Sequence, residues 1–307
     1  LLLGADLGAD LGAGPNADAH GYHRVSSKET LYGWVRVLEN PERDIRVLAS
    51  DASIIGASTR STGKSLLNYQ RLVTLLPEFV PNIHRVLLVG QGAGHMAMKL
   101  KIDYGITTDA IELDPSVNEA AETYFGYRPS GKSVVADGRS ELRKMQGPYD
   151  LVIHDCFTGG TDPSHLLTVE TFSLMRSLMT PDGLLALNTV SFYNDGSDPA
   201  LSAIVKTVDA VFPFHKVYAA DVGHDFNDYV VIASAASLDQ YDENMSEKTR
   251  KWFSDRFVTV HYETAKELTD NFNPLESLQL AKSEKYRELV EGWLGSEQMV
   301  PLSLIHI

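Results

Sequence analysis

The sequence predicts an α/β protein: a doubly wound parallel sheet preceded by a small antiparallel β region and followed by a helical tail. Two observations predict it. Between positions 85 and 236, apolar runs of strand type alternate with helical patterns, the signature of a parallel sheet covered by helices on both faces. The first of these runs, at 85–89, ends in Gly90, Gly92 and Gly94, and a helical pattern follows at once. Strand, glycine turn and helix together make a nucleotide-type site. Gly90 and Gly92 let the backbone turn tightly and leave no Cβ between it and a ligand. The helix behind offers unpaired N–H groups and the positive end of its dipole. A tight βα turn without a ligand has the same glycines, so the other strand ends have to decide.

The strands are expected at 85–89, 107–113, 132–136, 149–154, 184–188, 214–219 and 228–234, with helices at 94–104, 116–125, 138–145, 168–179 and 199–211. Asp182-Gly183 is expected to turn into the fifth strand, and Phe212-Pro213 ends the last crossover helix. Only Asp221-Val222-Gly223-His224-Asp225-Phe226-Asn227 separates the last two strands. That implies a hairpin and one antiparallel strand at the sheet edge. Seven strands in this arrangement are the methyltransferase variant of the doubly wound sheet, expected to fill residues 65–236. Ahead of it, Leu31 to Asn40 and Ile45 to Ala49 are rich in β formers around the turn Asn40-Pro41-Glu42-Arg43-Asp44, with Ser53-Ile54-Ile55 as a third candidate strand. Residues 27–64 are therefore expected to form the small sheet. A helix is expected at 65–76, closed by Pro77 and Pro81. Amphipathic patterns near 246–257, 262–270 and 275–294 make residues 237–301 a helical extension.

Composition bounds the function. The chain has 307 residues, 43% of them hydrophobic and 22% charged, with a net charge of −14. These are ordinary values for a soluble globular protein. No basic stripe appears, which argues against a nucleic-acid partner. The acidity suits a cationic substrate, and equally plain solubility. The single cysteine, Cys156, excludes an internal disulfide and fits a reducing, cytoplasmic setting. The ten histidines form no metal-type cluster, so no metal is expected. No apolar run reaches the length of a membrane span. Residues 1–26 open on a Gly-Ala-Asp-Leu near-repeat and are expected to be disordered. Residues 302–307 can be encoded by CTG TCT CTT ATA CAC ATC, a string matching a transposon end used in sequencing libraries. They are expected to be an adapter artefact, and membrane segments of the natural protein are expected to be missing from a fragment of this kind.

Ligands of such sheets sit beyond the carboxyl ends of the strands. The residues there include Gly90 to Gly94, then Glu112, then Asp137 and Gly138, then Asp155 and Cys156, then Asn188. Glu112 stands about 20 residues after the glycines, where an acid takes a ribose diol. It could equally be a solvated strand end or a helix cap. Asp137 is placed to accept from an adenine amino group, and Asp155 to face the reacting centre. Each alone could be a turn residue; three on successive strand ends fit one nucleoside. Tyr69 is a candidate to orient a nucleophile, or a packing residue between the small sheet and the main domain. His154 reads as a strand residue and Cys156 as a small buried side chain.

Residues 30 to about 235 resemble the spermidine synthase-like family. The motifs that carry the likeness are Tyr32-Gly33-Trp34-Val35-Arg36-Val37, Asn68-Tyr69-Gln70, Val89-Gly90-Gln91-Gly92-Ala93-Gly94, Ile111-Glu112-Leu113-Asp114-Pro115, Val135-Ala136-Asp137-Gly138 and Tyr149 to Asp155. The run His154-Asp155-Cys156-Phe157-Thr158-Gly159-Gly160 is similar to a fungal branch of that family, often joined to membrane segments. Leu268-Thr269-Asp270-Asn271-Phe272-Asn273-Pro274 extends that likeness into the tail. The resemblance implies S-adenosylmethionine or its decarboxylated form as the donor, with Gln70, Gly90, Gly92, Gly94, Glu112, Asp137 and Gly138 on the donor side and Asp155 and Tyr69 on the catalytic side. The acceptor is expected to be a small molecule or a protein. A homodimer is compatible with the likeness.

Four positions depart from the aminopropyl-transferring pattern. The family glutamine falls at Ile55, a glutamate at Arg71, the acid holding the donor's amine at Ala93, and a second loop acid at Thr158. Arg71 would repel a diammonium acceptor, and Ala93 leaves an aminopropyl donor's amine without a partner. Methyl transfer is therefore favoured over aminopropyl transfer to putrescine. A third reading is a degenerate member that binds a nucleoside without catalysis; the retained Asp155 speaks against it. Arg71 and Asp155 are expected at the mouth of one cleft, with the guanidinium lowering the Asp155 pKa.

Overall fold

The structure, a computed structural model, describes residues 20–157 and 159–299. The N-terminal calls on residues 1–19, the adapter-like end and Thr158 lie outside the described residues. An antiparallel meander opens the chain: β1 (His23–Glu29), β2 (Trp34–Asn40), β3 (Ile45–Ser50) and β4 (Ser53–Thr59), paired in that order. It has one strand more than the pattern suggested, because β1 begins inside the stretch expected to be disordered. Tyr22, just ahead of it, is 1% exposed and meets Trp293 edge to face at 5.6 Å.

The main sheet has β5 (Arg85–Val89), β6 (Thr107–Glu112), β7 (Ser133–Val135), β8 (Tyr149–His154), β9 (Met179–Ser191), β10 (Phe214–Ala219), β11 (Asn227–Ser234) and β12 (Phe257–Val258). Its order is β12-β10-β11-β9-β8-β5-β6-β7. Eight strands replace the expected seven, since β12 comes from the tail and pairs with β10. The predicted hairpin of β10 and β11 is present. The antiparallel strand is not at the edge, however: β11 runs between β9 and β10. This is the methyltransferase-like α/β arrangement. The Asp182-Gly183 turn sits inside β9, where the register against β8 shifts between Tyr149 and Leu151.

The helices are α1 (Tyr69–Thr74), α2 (His95–Tyr104), α3 (Pro115–Tyr124), α4 (Gly138–Leu142), α5 (Val169–Ser177), α6 (Pro199–Asp209), α7 (Glu247–Ser254), α8 (Leu275–Leu278) and α9 (Leu280–Leu294). Their starts follow capping chemistry. Asp114, Asp137, Thr168, Asp198 and Ser246 each accept from a backbone N–H of the first turn, satisfying donors a helix start leaves open. The helix expected at 65–76 is only α1 followed by a short 3-10 turn at Leu76–Glu78. The helix expected near 262–270 does not form; that stretch is turns and a bridge between Thr269 and Phe272.

One apolar cluster joins the small sheet, α1, one face of the main sheet and α9 through Leu38, Leu72, Leu88 and Val290. A second fills the other face with α5 and α6. The tail does more than cover the sheet. The Lys282 ammonium, 2% exposed, pairs with the buried Asp162 carboxylate, which also accepts from Thr189 at 2.7 Å. Gln279 bonds both backbone groups of Asp162, at 2.7 and 3.1 Å. Tyr286 accepts from the Ile54 N–H at 3.1 Å and meets Phe157 at 4.7 Å. The loop after β8 is thus clamped from the far end of the chain.

Breaking one partner of a buried ion pair leaves the other charged and unsatisfied. Lys282→Met is expected to cost about 3–5 kcal/mol in urea denaturation. A loss under about 1 kcal/mol would show that Asp162 is held without its counter-ion.

Candidate active site

The carboxyl ends of β5, β6 and β8 converge on the glycine turn. Gly90 (φ +88°) donates its N–H to Ile111 at 3.0 Å, and the Asp155 N–H reaches Val89 at 2.8 Å. A Cβ on Gly90 would stand 2.1 Å from the Asp155 carbonyl oxygen, and one on Gly92 (φ +53°) 2.5 Å from that of Ile55. Both glycines are therefore required by the packing as well as by the turn, and both line the cavity above the strand ends. Gly94 does not. It precedes α2 and lies against the Tyr127 ring, where a Cβ would come within 2.2 Å. Its assignment to the donor site is corrected to a packing role.

Glu112 lines the cavity from β6. Its carboxylate accepts from the N–H groups of Gln91 at 3.2 Å, Gly92 at 3.1 Å and Asp114 at 3.1 Å. Burial raises its pKa, and the N–H groups of Asp114 and Gly92 work against that rise. Asp137 and Gly138 line the same wall; Asp137 caps α4 through Ser140 and lies 3.4 Å from His165 Nε2.

Asp155 lines the opposite wall. Tyr69 Oη donates to its Oδ2 at 2.8 Å and Asn188 Nδ2 to its Oδ1 at 3.1 Å. Burial, with the negative charges of Asp228 and Asp162, pushes its pKa up to about 7 against these two hydrogen bonds. Gln70 sits behind Tyr69: it donates to Tyr69 Oη at 3.4 Å and accepts from Ser65 at 2.7 Å. It does not line the cavity and meets it only through the Tyr69 hydroxyl. Burial pushes the Cys156 thiol well up and brings His154 down to about 4. Neither a thiolate nor an imidazolium forms there at neutral pH.

Arg71 is a correction. It is exposed and lies over the Trp252 ring at 4.7 Å, with Arg256 over the same ring at 4.1 Å. It does not line the cavity, and the Asp155 pKa is raised, not lowered. Trp252, supplied by α7, draws it outward by cation–π attraction. Ile55 does line the cavity. Ala93 is buried, its Cβ filling the space over Gly56.

One carboxylate escaped the sequence reading. Asp228, at the start of β11, lines the cavity and meets Asn188 Nδ2 at 3.4 Å. The available signal was a lone charge opening the apolar run Tyr229-Val230-Val231-Ile232. Among the described residues, five carboxylates line the cavity (Glu112, Asp114, Asp137, Asp155 and Asp228) and no Lys or Arg does.

The site is thus a carboxylate-lined cleft over the strand ends of a doubly wound sheet, with a hydrogen-bonded Tyr–Asp pair in its wall. The chain belongs to the spermine/spermidine synthase domain family, whose pattern matches residues 66–242. It is 27% identical over 243 residues to an N-terminal histidine N-methyltransferase of Emericella nidulans, covering 70% of this chain and 42% of that one. It is 30% identical over 198 residues to a polyamine aminopropyltransferase of Thermotoga neapolitana, covering 60% and 62%. A probable polyamine aminopropyl transferase of Bifidobacterium longum is 24% identical over 65% of this chain and 44% of its own length. The chain thus spans less than half the length of the Emericella and Bifidobacterium relatives. The fold matches the spermidine synthase of Thermotoga maritima with a TM-score of 0.60, at 20% identity over 87% of this chain and 88% of that one. The family joins S-adenosylmethionine-dependent methyl- and aminopropyl-transferring members.

The raised Asp155 pKa has a consequence for stability. Its carboxyl ionises near 3.8 when unperturbed and near 7 in the fold, so the protonated form is favoured on folding. That stabilisation is complete below about pH 4 and is lost as pH rises through about 7. Asp155→Asn does not titrate, so its melting temperature relative to wild type is expected to climb between pH 4 and 7 and then level off. A flat difference across that range would place the Asp155 pKa near its ordinary value.

Proposed function

We propose that this chain transfers a methyl group from S-adenosylmethionine to a nitrogen nucleophile. The observation that carries this reading is the residue at position 93: where the family resemblance calls for an acid to hold an aminopropyl donor's ammonium, the chain has Ala93, buried against Gly56, and the nearby cavity lining is the apolar pair Ile54 and Ile55. The similarity to the Emericella N-terminal histidine N-methyltransferase supports it and suggests a protein N-terminus or a related amine as the acceptor.

The residues present fit the donor. Glu112, already aimed by three backbone donors, would hold the ribose, and Asp137 would accept from the adenine amino group. Gly90 and Gly92 would present bare backbone. When bound, the donor supplies an electrophilic carbon next to a sulfonium. The chain's own residues then have two tasks. A nitrogen reacts only when neutral, and Asp155 can take the proton it loses. A base with a pKa near 7 is matched to that transfer at neutral pH. Tyr69 holds the carboxylate in place, and most of the rate gain comes from such positioning.

Aminopropyl transfer to a diamine is the second reading. One observation favours it: among the described residues no Lys or Arg lines the cavity to pair the carboxylate that intact S-adenosylmethionine carries and the decarboxylated donor lacks. Mass spectrometry of peptides with a free N-terminal histidine, and of putrescine, incubated with each donor, separates the two. A gain of one methyl is expected; efficient aminopropyl transfer to putrescine would reverse the assignment.

Two variants test the residue roles. Glu112→Gln is expected to weaken S-adenosylhomocysteine binding by about 1–3 kcal/mol, the value of a lost charged hydrogen bond. Equal affinity in calorimetry would remove Glu112 from the ribose site. Asp155→Asn is expected to lower turnover about 100-fold or more with S-adenosylhomocysteine affinity nearly unchanged, and wild-type turnover should rise with pH through about 7. A parallel loss of binding and turnover would make Asp155 a structural residue.

A further inference from the structure

The tail motif Leu268-Thr269-Asp270-Asn271-Phe272-Asn273-Pro274 puts no residue on the cavity wall. Its backbone is nevertheless held firmly against the main domain. Leu268, fully buried, donates its N–H to Thr207 Oγ1 at 2.9 Å and accepts from the Val169 N–H at 2.9 Å. Thr269 and Phe272 close a tight turn through two hydrogen bonds, at 2.9 and 3.2 Å. Leu275, also fully buried, ends this strap at the start of α8.

Two polar side chains of the strap reach back toward the cavity. Asp270 pairs with the Arg139 guanidinium, and Arg139 directly follows the cavity residues Asp137 and Gly138. Arg139 Nη1 also faces the His165 carbonyl at 3.5 Å. Asn273 Nδ2 donates to the Ser164 carbonyl at 2.8 Å, and its Oδ1 accepts from the Leu275 N–H at 3.1 Å. Pro163, His165 and Leu166, on either side of that carbonyl, line the cavity. They face the start of α4: His165 Nε2 lies 3.4 Å from Asp137 Oδ2, and a Cβ on Gly138 would stand 3.5 Å from Leu166. One side chain of the strap thus holds each flank of this end of the cavity. Asp270 is exposed and Asn273 only half-buried. The packing of the strap rests on the two leucines, and an ion pair open to solvent adds little stability.

We propose that Asp270 and Asn273 are positioning residues for the Asp137 end of the cavity. Asp270 fixes the start of α4 through Arg139, and Asn273 fixes the turn that carries His165. Together they set the gap between Asp137 and His165, and with it which edge of a planar base fits there. This rests on the reading that Asp137 meets the adenine of the donor. An adenine amino group donates to a carboxylate, whereas the oxygen that replaces it in hypoxanthine only accepts. A gap held at one width tells the two bases apart; a loosened one lets the base shift and does not.

Calorimetry on the full chain tests this with S-adenosylhomocysteine and its deaminated counterpart, S-inosylhomocysteine. Wild type is expected to prefer the adenine compound by about tenfold or more, the scale of one hydrogen bond to a charged group. Asp270→Asn and Asn273→Ala, which break separate contacts, are each expected to reduce that preference to about threefold or less. Their melting temperatures should stay within about 2 °C of wild type, as for other surface substitutions. A purely structural role would instead lower the melting temperature and weaken both compounds in parallel, and that result overturns the proposal. So does a wild type that binds both compounds equally, or a preference that survives in both variants. A wild type that binds neither compound sinks the donor reading itself, and the proposal with it.

Discussion

Gly90 and Asp155 approach more closely than any side chain allows, and the site is built outward from that contact. The strands β5 and β8 stay hydrogen-bonded up to Asp155 N–H and the Val89 carbonyl. They can do so only because nothing projects from Gly90 toward the Asp155 carbonyl, 2.1 Å from where a Cβ would stand. The Gly90 N–H meanwhile secures Ile111 on β6. Three strand ends are thereby fixed around one residue without a side chain. Glu112 and Asp155 each continue one of the flanking strands, so they face one cavity from opposite sides. A residue with φ near +88° and no room for Cβ has glycine as its only economical solution.

The second constraint is electrostatic. Among the described residues five carboxylates line one cavity, and burial raises the pKa of two of them, Glu112 and Asp155. The donor side manages this with backbone dipoles: N–H groups of Gln91, Gly92, Asp114 and Ser140 point at Glu112 and Asp137. The other side has fewer donors. Tyr69 and Asn188 give Asp155 one hydrogen bond each, which does not offset burial and the fields of Asp228 and Asp162, and the pKa settles near 7. A base poised at neutral pH thus follows from an incomplete set of donors. The net charge of −14 could not have located this, because a surface of scattered acids gives the same total.

What was legible in the sequence was local. Glycine spacing, the acid at the end of β6 and the capping aspartates are set by residues within a few positions of one another, and the structure keeps Gly90, Gly92, Glu112, Asp137, Gly138 and Asp155 on one cavity. Most of the misreadings at the site are long-range. Arg71 was placed at the cleft from its position on a helix, but α1 is short and Trp252, far along the chain, draws the guanidinium outward. Gly94 shared the glycine pattern, yet it yields to the Tyr127 ring and not to a ligand. Gln70 stands behind Tyr69 because Ser65 turns its amide that way. Asp228 escaped notice because its place depends on β11 entering between β9 and β10, which sequence order alone does not show.

The same division separates the two halves of the reaction. The Gly90, Glu112 and Asp137 side of the cavity is made of consecutive strand ends, whose backbone is dictated by short motifs. The acceptor side is assembled from α1, β9, β11 and the loop after β8, and that loop takes its shape from the tail. Asp155 is fixed at one end of it by Val89, and Asp162 at the other by Lys282, Gln279 and Thr189. Phe157, between them, rests on Tyr286 of α9. A buried ion pair is seldom a net source of stability, but it fixes geometry, since neither partner can move without leaving the other buried and unpaired. Lys282 therefore acts on the Asp155 side of the cavity through the loop it anchors.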